Sequence, residues 1–455
     1  MVSRTDKLTQ MGRRRFIETL AGLGMSTGVL TNISQEKLEE ITDDPTEEVP
    51  RVKALHLKNP EAYEETPFPN ESEREPEFYT IPREKWIKVE TAFDAAHRLQ
   101  NRVSEIDDSG LVDVGVRISD KGRLEQYGIS ITRRTVIPLS TREDNSEITA
   151  EQADSLDEAK TADVSLDELM GSLPDTAEGQ VGNEDYETAS RDGIPIHFEN
   201  SVIADETCPD IDCHNNDDTG DRLYTSTYRY TVSPYTYVGT GCSIHISSDN
   251  FGSSSSLGPR VAHNNNNEIG FLTTGHGAFD DTDPEEAIGR DVSQFTTSNQ
   301  IGTVSHIKHN ESSDVSSSSN WDIAFIEMND SLEAGNRLAD VDSGFSGRLG
   351  TSILGYDYLK DDEGPVCQQG RRTGRCEQEI YEIIEGESPT QIELYRDQEE
   401  GGGNSGGPYF VNEANDEDDL RVAGVHRAGG TRGGNDVAIG MWIGDIEDNF
   451  DVTVI

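Results

Sequence analysis

Three short motifs in the C-terminal half of the chain contain side chains that could act together on a carbonyl group. His276 ends an apolar strand pattern at a glycine turn, Asp322 opens another, and Ser405 lies in the segment Gly-Asn-Ser-Gly-Gly-Pro. A serine hydroxyl is a weak nucleophile, and a neutral imidazole can take its proton and return it to the leaving group. A buried carboxylate holds that imidazole in the required tautomer. These residues therefore predict nucleophilic catalysis by Ser405, with His276 as base and Asp322 as its orienting partner.

The glycines around the serine predict a second part of the site. Gly402 and Gly403 precede Ser405 closely, and Gly406 and Gly407 follow it. Without a Cβ, this backbone can approach a substrate and leave the hydroxyl unobstructed. The N–H groups of Gly403 and Ser405 can point to one spot, where they would stabilise negative charge on a carbonyl oxygen. We therefore predict that these two residues form an oxyanion hole.

Short strand patterns position the three motifs. From residue 222 onwards the predicted strands are Tyr224–Val232, Cys242–Ile246, Gly270–Thr274, Gly302–His306, Asp322–Met328, Gly350–Leu354, Gln391–Tyr395, Arg421–His426 and Val437–Ile443. The predicted loops are rich in Ser or Asn, at 253–256, 264–267 and 316–319, and 446–450 is a predicted closing helix. Many short strands between turn signals are typical of a barrel or a sandwich, so this region is predicted to be all-β.

The order and spacing of His276, Asp322 and Ser405 resemble those of chymotrypsin-like (trypsin-family) serine proteases. The segment 366–376 and the ending 451–454 are similar to the streptogrisin and alpha-lytic branch. The resemblance implies a protease domain over 222–455, with two six-stranded antiparallel β-barrels and the active site between them. It also implies a serine endopeptidase that forms an acyl-enzyme on protein or peptide substrates without a cofactor or metal. A protease-like binding protein without activity is the alternative.

The resemblance implies a disulfide between Cys367 and Cys376, and it leaves three other cysteines open. Gly277 stands where many relatives have the partner of Cys242. Cys208 and Cys213 could pair with each other, or one of them could pair with Cys242. A zinc site at Cys208, Cys213 and the neighbouring His214 is disfavoured, because no second pair of ligands is evident.

The predicted substrate pocket includes the segment 425–430, which follows the nucleophile in this family. A histidine at the position of His426 resembles the glutamyl endopeptidases, and Arg427 could also pair with a substrate carboxylate. A buried acidic side chain needs such a partner. Glu400 lies where residues of the pocket base fall in the family, and it would favour Lys or Arg instead. We expect a preference for acidic residues before the cut bond, with basic, small or aromatic residues as alternatives.

Asn404 stands where trypsin has an Asp that is used for activation. Activation by a new N-terminal amine is therefore not expected.

The composition describes a strongly acidic protein. The 455 residues include 88 Asp and Glu against 38 Lys and Arg, which gives a formal net charge of −50, and most of the basic residues are Arg. Like charges repel, so nucleic acid and anionic membranes are not expected partners. Concentrated salt screens such a charge, because the Debye length falls to about 3 Å at 1 M. We therefore expect a soluble, monomeric protein adapted to high salt.

The N-terminal half predicts export and a removable segment. Residues 1–32 combine Arg13, Arg14 and Arg15 with a short apolar run, which resembles a twin-arginine export signal and predicts a secreted protein. Residues 33–203 are interpreted as acidic linkers around a small α/β pro-segment. Some helix is expected in the first linker, 33–105, and strands are predicted near 112–116, 127–131 and 193–198. We expect the mature chain to begin between about 190 and 225. A permanent N-terminal module is the alternative.

Overall fold

The computed structural model describes much of the chain from residue 47 onwards. The described ranges are 47–64, 68, 73–119, 126–137, 159–181, 189–205, 236–241, 243–247, 253–278, 284–294, 300–309, 321–330, 332–340, 344–370, 374–385, 389–396, 404–412 and 420–455. The predicted export signal, the predicted strand 224–232, the loop 316–319 and Cys208, Cys213 and Cys242 lie outside these ranges.

The N-terminal region contains strands and two helices. Its strands are β1 (Glu48–Leu57), β2 (Arg74–Pro82), β3 (Val112–Arg117), β4 (Ile129–Ile137), β5 (Lys160–Thr161), β6 (Thr176–Val181) and β7 (Ala189–Asp205). Its helices are α1 (Arg83–Ile106) and α2 (Leu166–Ser172), with a 3₁₀ turn at Pro60–Tyr63.

The C-terminal region is mostly β-structure. Its strands are β8 (Thr236–Thr240), β9 (Ser243–Ile246), β10 (Ser253–Ser256), β11 (Arg260–His263), β12 (Glu268–Thr273), β13 (Asp291–Ser293), β14 (Gln300–His309), β15 (Asp322–Met328), β16 (Leu332–Asp340), β17 (Gly344–Leu354), β18 (Val366–Gly370), β19 (Gly374–Gln378), β20 (Ile380–Ile384), β21 (Gln391–Tyr395), β22 (Pro408–Val411), β23 (Leu420–Arg432), β24 (Asn435–Trp442) and β25 (Val452–Val454). Its helices are α3 (Tyr356–Lys360) and α4 (Ile443–Phe450), with a 3₁₀ turn at Pro284–Ala287.

A pair of strands and a long helix occupy the region between residues 47 and 106, which the sequence predicted as part of an acidic linker. Strands β1 and β2 pair antiparallel, and the 24-residue helix α1 follows directly. Trp86, Val89, Phe93 and Val103 are buried on one face of this helix, at successive spacings of three, four and ten residues. An apolar stripe of this kind drives a helix onto a core, although most of its other residues are charged or polar. Over 47–64 and 73–106, where the sequence indicated a linker with some helix, the structure has two strands, a 3₁₀ turn and helix α1.

The N-terminal strands belong to the same sheet as the C-terminal ones. Strand β1 pairs with β17, β3 pairs with β20, and β7 pairs with β23. One core of buried side chains contains Val89 and Phe93 of α1 as well as Ile383 of β20 and Tyr409 of β22. The two halves of the described chain are thus joined by backbone pairing and by shared packing.

A second, eight-stranded sheet has the order β10-β9-β13-β14-β15-β12-β11-β25. All of its neighbouring strands pair antiparallel. The described chain is mostly β-strand with few helices, which agrees with the predicted all-β class. The two six-stranded barrels stay a prediction.

Most predicted strands with described residues are present, and one predicted loop is not. The turn at 264–267 joins β11 to β12, and α4 covers the predicted closing helix. Residues 253–256, predicted as a loop, form strand β10. Ser255 and Ser256 are fully buried there, because hydrogen bonds satisfy the Ser255 hydroxyl and the Ser256 backbone.

Candidate active site

Strands β12 and β15 bring the predicted base and carboxylate together. They pair antiparallel, so the turn after β12 holds His276 beside Asp322, the first residue of β15. Asp322 Oδ2 lies 2.5 Å from His276 Nδ1, and Asp322 Oδ1 accepts a hydrogen bond of 2.8 Å from the His276 backbone N–H. Both contacts orient the ring and leave Nε2 as the atom that faces away from the carboxylate.

The predicted nucleophile faces that atom. Ser405 Oγ lies 3.1 Å from His276 Nε2 and 3.1 Å from the carbonyl oxygen of Arg427. Its hydroxyl proton can be donated to either acceptor. Ser405 is 0% exposed and His276 is 5% exposed, so the reactive pair is covered in this structure. The structure thus brings His276, Asp322 and Ser405 into one hydrogen-bonded chain.

The turn that carries Ser405 requires glycine at the next position. Gly406 has a φ of +90°, a region that side-chain-bearing residues rarely adopt. A Cβ on Gly406 would lie 2.3 Å from the carbonyl oxygen of Ser256. The Ser256 N–H donates to the Ser405 carbonyl at 2.7 Å, and the Gly406 N–H donates to the His426 carbonyl at 2.8 Å. Strands β10 and β23 therefore hold the turn from two sides.

Asp322 keeps its negative charge although it is almost completely buried. Burial alone would raise the pKa of this carboxyl, but the charge and hydrogen bond of His276 oppose burial. His309 and Arg427 add further positive charge, so the pKa of Asp322 lies well below its usual range. A carboxylate that stays ionised is the form that orients the imidazole and stabilises its charged state.

His309 is a residue of this site that sequence reasoning missed. The pairing of β14 with β15 places His309 opposite Asp322, and His309 Nε2 lies 3.4 Å from Asp322 Oδ1. The ring also covers Gly275, where a Cβ would lie 3.0 Å from His309 Cδ2. Only the strand register identifies this contact, and no motif around His309 signals it.

His426 and Arg427, the two predicted residues of the pocket wall on β23, contact different partners. Arg427 Nε lies 3.6 Å from Asp322 Oδ2, so the guanidinium forms an ion pair with the carboxylate of the triad. His426 is fully buried, and its Nδ1 lies 2.9 Å from the hydroxyl of Tyr409. The register of β23 against β24 shifts between His426 and Ala428, so Arg427 is the extra residue of a bulge. The assignment of Arg427 to the substrate pocket stays a prediction.

Several predicted site residues lie outside the described ranges. Gly403 of the predicted oxyanion hole is one, and Glu400 of the predicted pocket base is another. Asn404 is described and fully buried, and its side chain lies over Gly370, where a Cβ would be 2.3 Å from Asn404 Oδ1.

The predicted disulfide between Cys367 and Cys376 is not formed in the structure, and both side chains are thiols. The pairing of β18 with β19 sets Cys367 opposite Glu377, and Cys376 opposite Gln368. This register is one residue away from a direct Cys–Cys pair, so the two thiols lie on opposite faces of the ribbon. The disulfide prediction is thus contradicted by the register.

The described part of the chain contains neither a candidate metal cluster nor a candidate membrane-spanning helix. Among these residues no group of three or more His, Cys, Asp or Glu side chains could hold a metal ion. No helix of the described ranges is both long and apolar enough to cross a membrane.

Comparisons with known proteins give structural similarities only. No protein-family model matches the chain, and no curated protein matches its sequence. Solved structures similar to it include protease A of Thermobifida fusca, at 16% identity and a TM-score of 0.32, over 48% of this chain and 99% of that one. A serine protease described as specific for glutamic acid, with a histidine triad in substrate binding, has 14% identity, a TM-score of 0.32, and coverage of 48% and 100%. Cellulomonas bogoriensis chymotrypsin has 16% identity, a TM-score of 0.29, and coverage of 48% and 98%. At these TM-scores the similarity by itself assigns no activity, so the function rests on the triad geometry.

Proposed function

We propose that this protein is a serine endopeptidase of the chymotrypsin-like type. One observation carries the proposal: His276 Nε2 lies 3.1 Å from Ser405 Oγ while its Nδ1 lies 2.5 Å from the buried carboxylate of Asp322. A nucleophile, a base and an orienting acid within hydrogen-bond distance of one another form the arrangement that acyl transfer needs.

The reaction follows from these three groups. His276 takes the proton of Ser405 as Oγ attacks the peptide carbonyl carbon, and the N–H groups of Gly403 and Ser405 stabilise the oxygen that becomes negative. His276 then gives the proton to the departing amine, which leaves an ester on Ser405. Water, deprotonated by His276, hydrolyses the ester and restores the hydroxyl. Asp322 stays ionised throughout and stabilises the imidazolium.

The proposal includes the biological setting. The basic N-terminal segment supports export, and the formal charge of −50 supports work in concentrated salt. Residues 33–203 would act as a pro-segment, and 222–455 would form a monomeric two-barrel protease.

The proposed preference is for an acidic residue before the cut bond. His426 lies on β23 next to Arg427, whose carbonyl oxygen contacts Ser405 Oγ. The hydroxyl of Tyr409 holds the His426 ring at Nδ1, which fixes the direction of Nε2. Donation from a fixed imidazole would offset the cost of burying a substrate carboxylate.

The catalytic proposal is tested by comparing the full chain with its Ser405→Ala variant in multimolar salt. Wild type should hydrolyse peptides and become covalently labelled by a fluorophosphonate probe. The variant should fold normally, remain unlabelled and lose most of the hydrolysis, because the members of a triad act as one unit. Near-normal turnover by the variant would exclude this mechanism. A folded wild type without labelling or turnover would support the alternative of a non-catalytic binding protein.

The specificity proposal is tested with peptides that differ only at the residue before the cut bond. Glu peptides should be cleaved faster than Gln or Arg peptides. In His426→Ala this preference should drop by about tenfold or more, because the substrate carboxylate loses its donor. Ser405 should still react with the probe in that variant. Faster cleavage after Arg than after Glu would reverse the assignment.

A further inference from the structure

Arg427 contacts both ends of the candidate triad. Its carbonyl oxygen lies 3.1 Å from Ser405 Oγ, and its side-chain Nε lies 3.6 Å from Asp322 Oδ2. Because Arg427 is the bulged residue of β23, its side chain is turned out of the regular alternation of the strand. The bulge thus brings a guanidinium to the carboxylate while the backbone of the same residue stays beside the nucleophile.

The guanidinium shares one carboxylate oxygen with the catalytic base. Asp322 Oδ2 also lies 2.5 Å from His276 Nδ1, whereas Asp322 Oδ1 accepts from the His276 backbone and lies 3.4 Å from His309 Nε2. The described basic groups around Asp322 therefore come from the turn after β12, from β14 and from β23. An arginine is positively charged throughout the working range of an enzyme, unlike the two histidines.

Arg427 has a second charged neighbour, on the N-terminal strand β4. Burial lowers the pKa of Arg134, Asp113 opposes this fall, and the positive charge of Arg427 adds to it. Asp113 itself forms an ion pair of 3.0 Å with Arg134. Arg134 is thus a like charge and no partner for Arg427, and the carboxylate within ion-pair distance of Arg427 in the described part of the chain is Asp322.

A fixed positive charge beside Asp322 disfavours the imidazolium form of His276. The carboxylate stabilises a proton on the ring, and a second cation at the same oxygen offsets part of that stabilisation. The Arg427 side chain is 19% exposed and that of Asp322 is 1% exposed, so salt screens this pair less than it screens surface charges. The neutral form of His276 is therefore favoured down to a lower pH than Asp322 alone would allow, also in concentrated salt.

We propose that Arg427 is a positioning residue that acts through Asp322 on His276 and extends the activity of the enzyme to lower pH. This inference rests on the proposed endopeptidase function and adds to it a residue that sets its working pH range. Hydrolysis requires His276 as a neutral base, so kcat/KM rises with pH as the free enzyme loses the proton of the imidazolium. Without the charge of Arg427, this rise should occur at higher pH.

The test measures kcat/KM against pH in multimolar salt for the full chain and for two replacements of Arg427. Arg427→Gln should move the midpoint of the rise upward by about half a pH unit or more, because the charge that opposed the imidazolium is gone. Arg427→Lys keeps a positive charge, so its midpoint should lie closer to wild type than to Arg427→Gln. Arg421→Gln makes the same change earlier on β23, where Arg421 pairs with Glu77, and should keep the wild-type midpoint.

Three readouts separate an effect on the triad from an effect on substrate binding. The pH profiles are recorded with peptides that have Glu or Ala before the cut bond, and with the labelling rate of the fluorophosphonate probe. A charge that acts through the triad should change all three midpoints by the same amount. A loss confined to Glu peptides would place Arg427 in the substrate pocket and overturn the inference. A lower rate with an unshifted midpoint would mean that Arg427 only supports the bulge, which would overturn it as well.

The remaining outcomes separate this inference from the proposed function. Circular dichroism checks the fold, and Arg427→Met is a second neutral variant if Arg427→Gln does not fold. Failure of both to fold would assign Arg427 to stability and overturn the inference. An active wild type whose midpoint is the same in the neutral variants would overturn the inference and keep the endopeptidase. A folded wild type with no probe labelling and no peptide hydrolysis would overturn both proposals.

Discussion

The buried carboxylate of Asp322 is surrounded by hydrogen-bond donors and basic side chains. His276 donates to it through a ring nitrogen and through its backbone, while His309 and Arg427 lie at 3.4 and 3.6 Å. Because these partners lower the pKa of Asp322, the carboxylate stays ionised at any pH near neutrality. The stability it contributes is present above the unfolded pKa of about 3.9 and is lost only as the pH falls through the lower folded value.

The first prediction at this scale concerns Asp322→Asn. An amide can keep the contact with the His276 backbone, but it favours the wrong imidazole tautomer for proton transfer. We expect kcat to fall by about 10³ to 10⁴ with little loss of fold, measured by peptide hydrolysis and circular dichroism. The exposed Asp330 at the other end of β15 provides the control, because Asp330→Asn makes the same change away from the triad. A drop of less than tenfold in Asp322→Asn would contradict the assigned role.

Sequence motifs could predict the triad because each member stands in a short segment with its own chemistry. The glycines around Ser405 and the apolar strands beside His276 and Asp322 are local signals. The contacts of His309 and Arg427 with Asp322 depend on strand register and on the bulge of β23 at Arg427. A single sequence does not specify long-range register. The disulfide between Cys367 and Cys376 was implied by the resemblance, and the register of the local β18–β19 hairpin separates the two thiols.

At the scale of elements, helix α1 joins the N-terminal region to the rest of the molecule. The ring of Phe93 packs edge-on against the ring of Tyr356 of α3, with 6.4 Å between the centroids, and Lys360 Nζ lies 4.5 Å from the Phe93 centroid.

Most C-terminal strands were predictable from alternating or continuous apolar runs bounded by turns. Helix α1 was not, because its apolar residues are dispersed among charges and resembled a solvated segment. Strand β10 was missed because buried serines in a strand look like a loop in sequence.

The prediction for this element is that Phe93→Ala lowers the free energy of unfolding by about 3 kcal/mol or more. The reason is a cavity in the core that both halves share. Denaturant unfolding should be measured in a Ser405→Ala background, where the chain stays intact. His97→Ala on the exposed face of the same helix should change stability by less than about 0.5 kcal/mol. Equal effects of the two substitutions would mean that α1 does not pack as described.

A buried cluster of charged side chains connects the N-terminal and C-terminal regions. Its described members are Asp113, Arg117, Arg134 and Glu199 from the N-terminal region, and Glu382, Glu393 and Arg432 from the C-terminal region. These four carboxylates outnumber the three guanidinium groups by one. Burial raises the pKa of Glu393 to about 8; Glu382 and Asp113 add to the rise, and Arg432 opposes it. A proton on Glu393 therefore brings the net charge of these seven side chains to zero.

The last prediction follows from that proton. Between about pH 4.5 and 8 the folded protein holds a proton on Glu393 that the unfolded chain releases, so the stability that this carboxyl contributes falls as the pH rises through this window. Thermal unfolding in the Ser405→Ala background should show this decline, and Glu393→Gln should flatten it. Glu377→Gln, on an exposed residue, should retain the decline. The same pH dependence with and without Glu393→Gln would contradict the assignment.

The pairing of early strands with late ones governs how fast the molecule can assemble. Strands β1 and β2 form a hairpin, and β3 and β4 pair nearby, so the N-terminal region gains local contacts early. By contrast, β7 meets β23, and β11 meets β25, only across long stretches of sequence. Closing such long loops costs entropy before any contact repays it, which makes these pairings slow. Refolding should therefore be limited by the search for distant partners, with the early N-terminal strands acting as a template on which the later ones add.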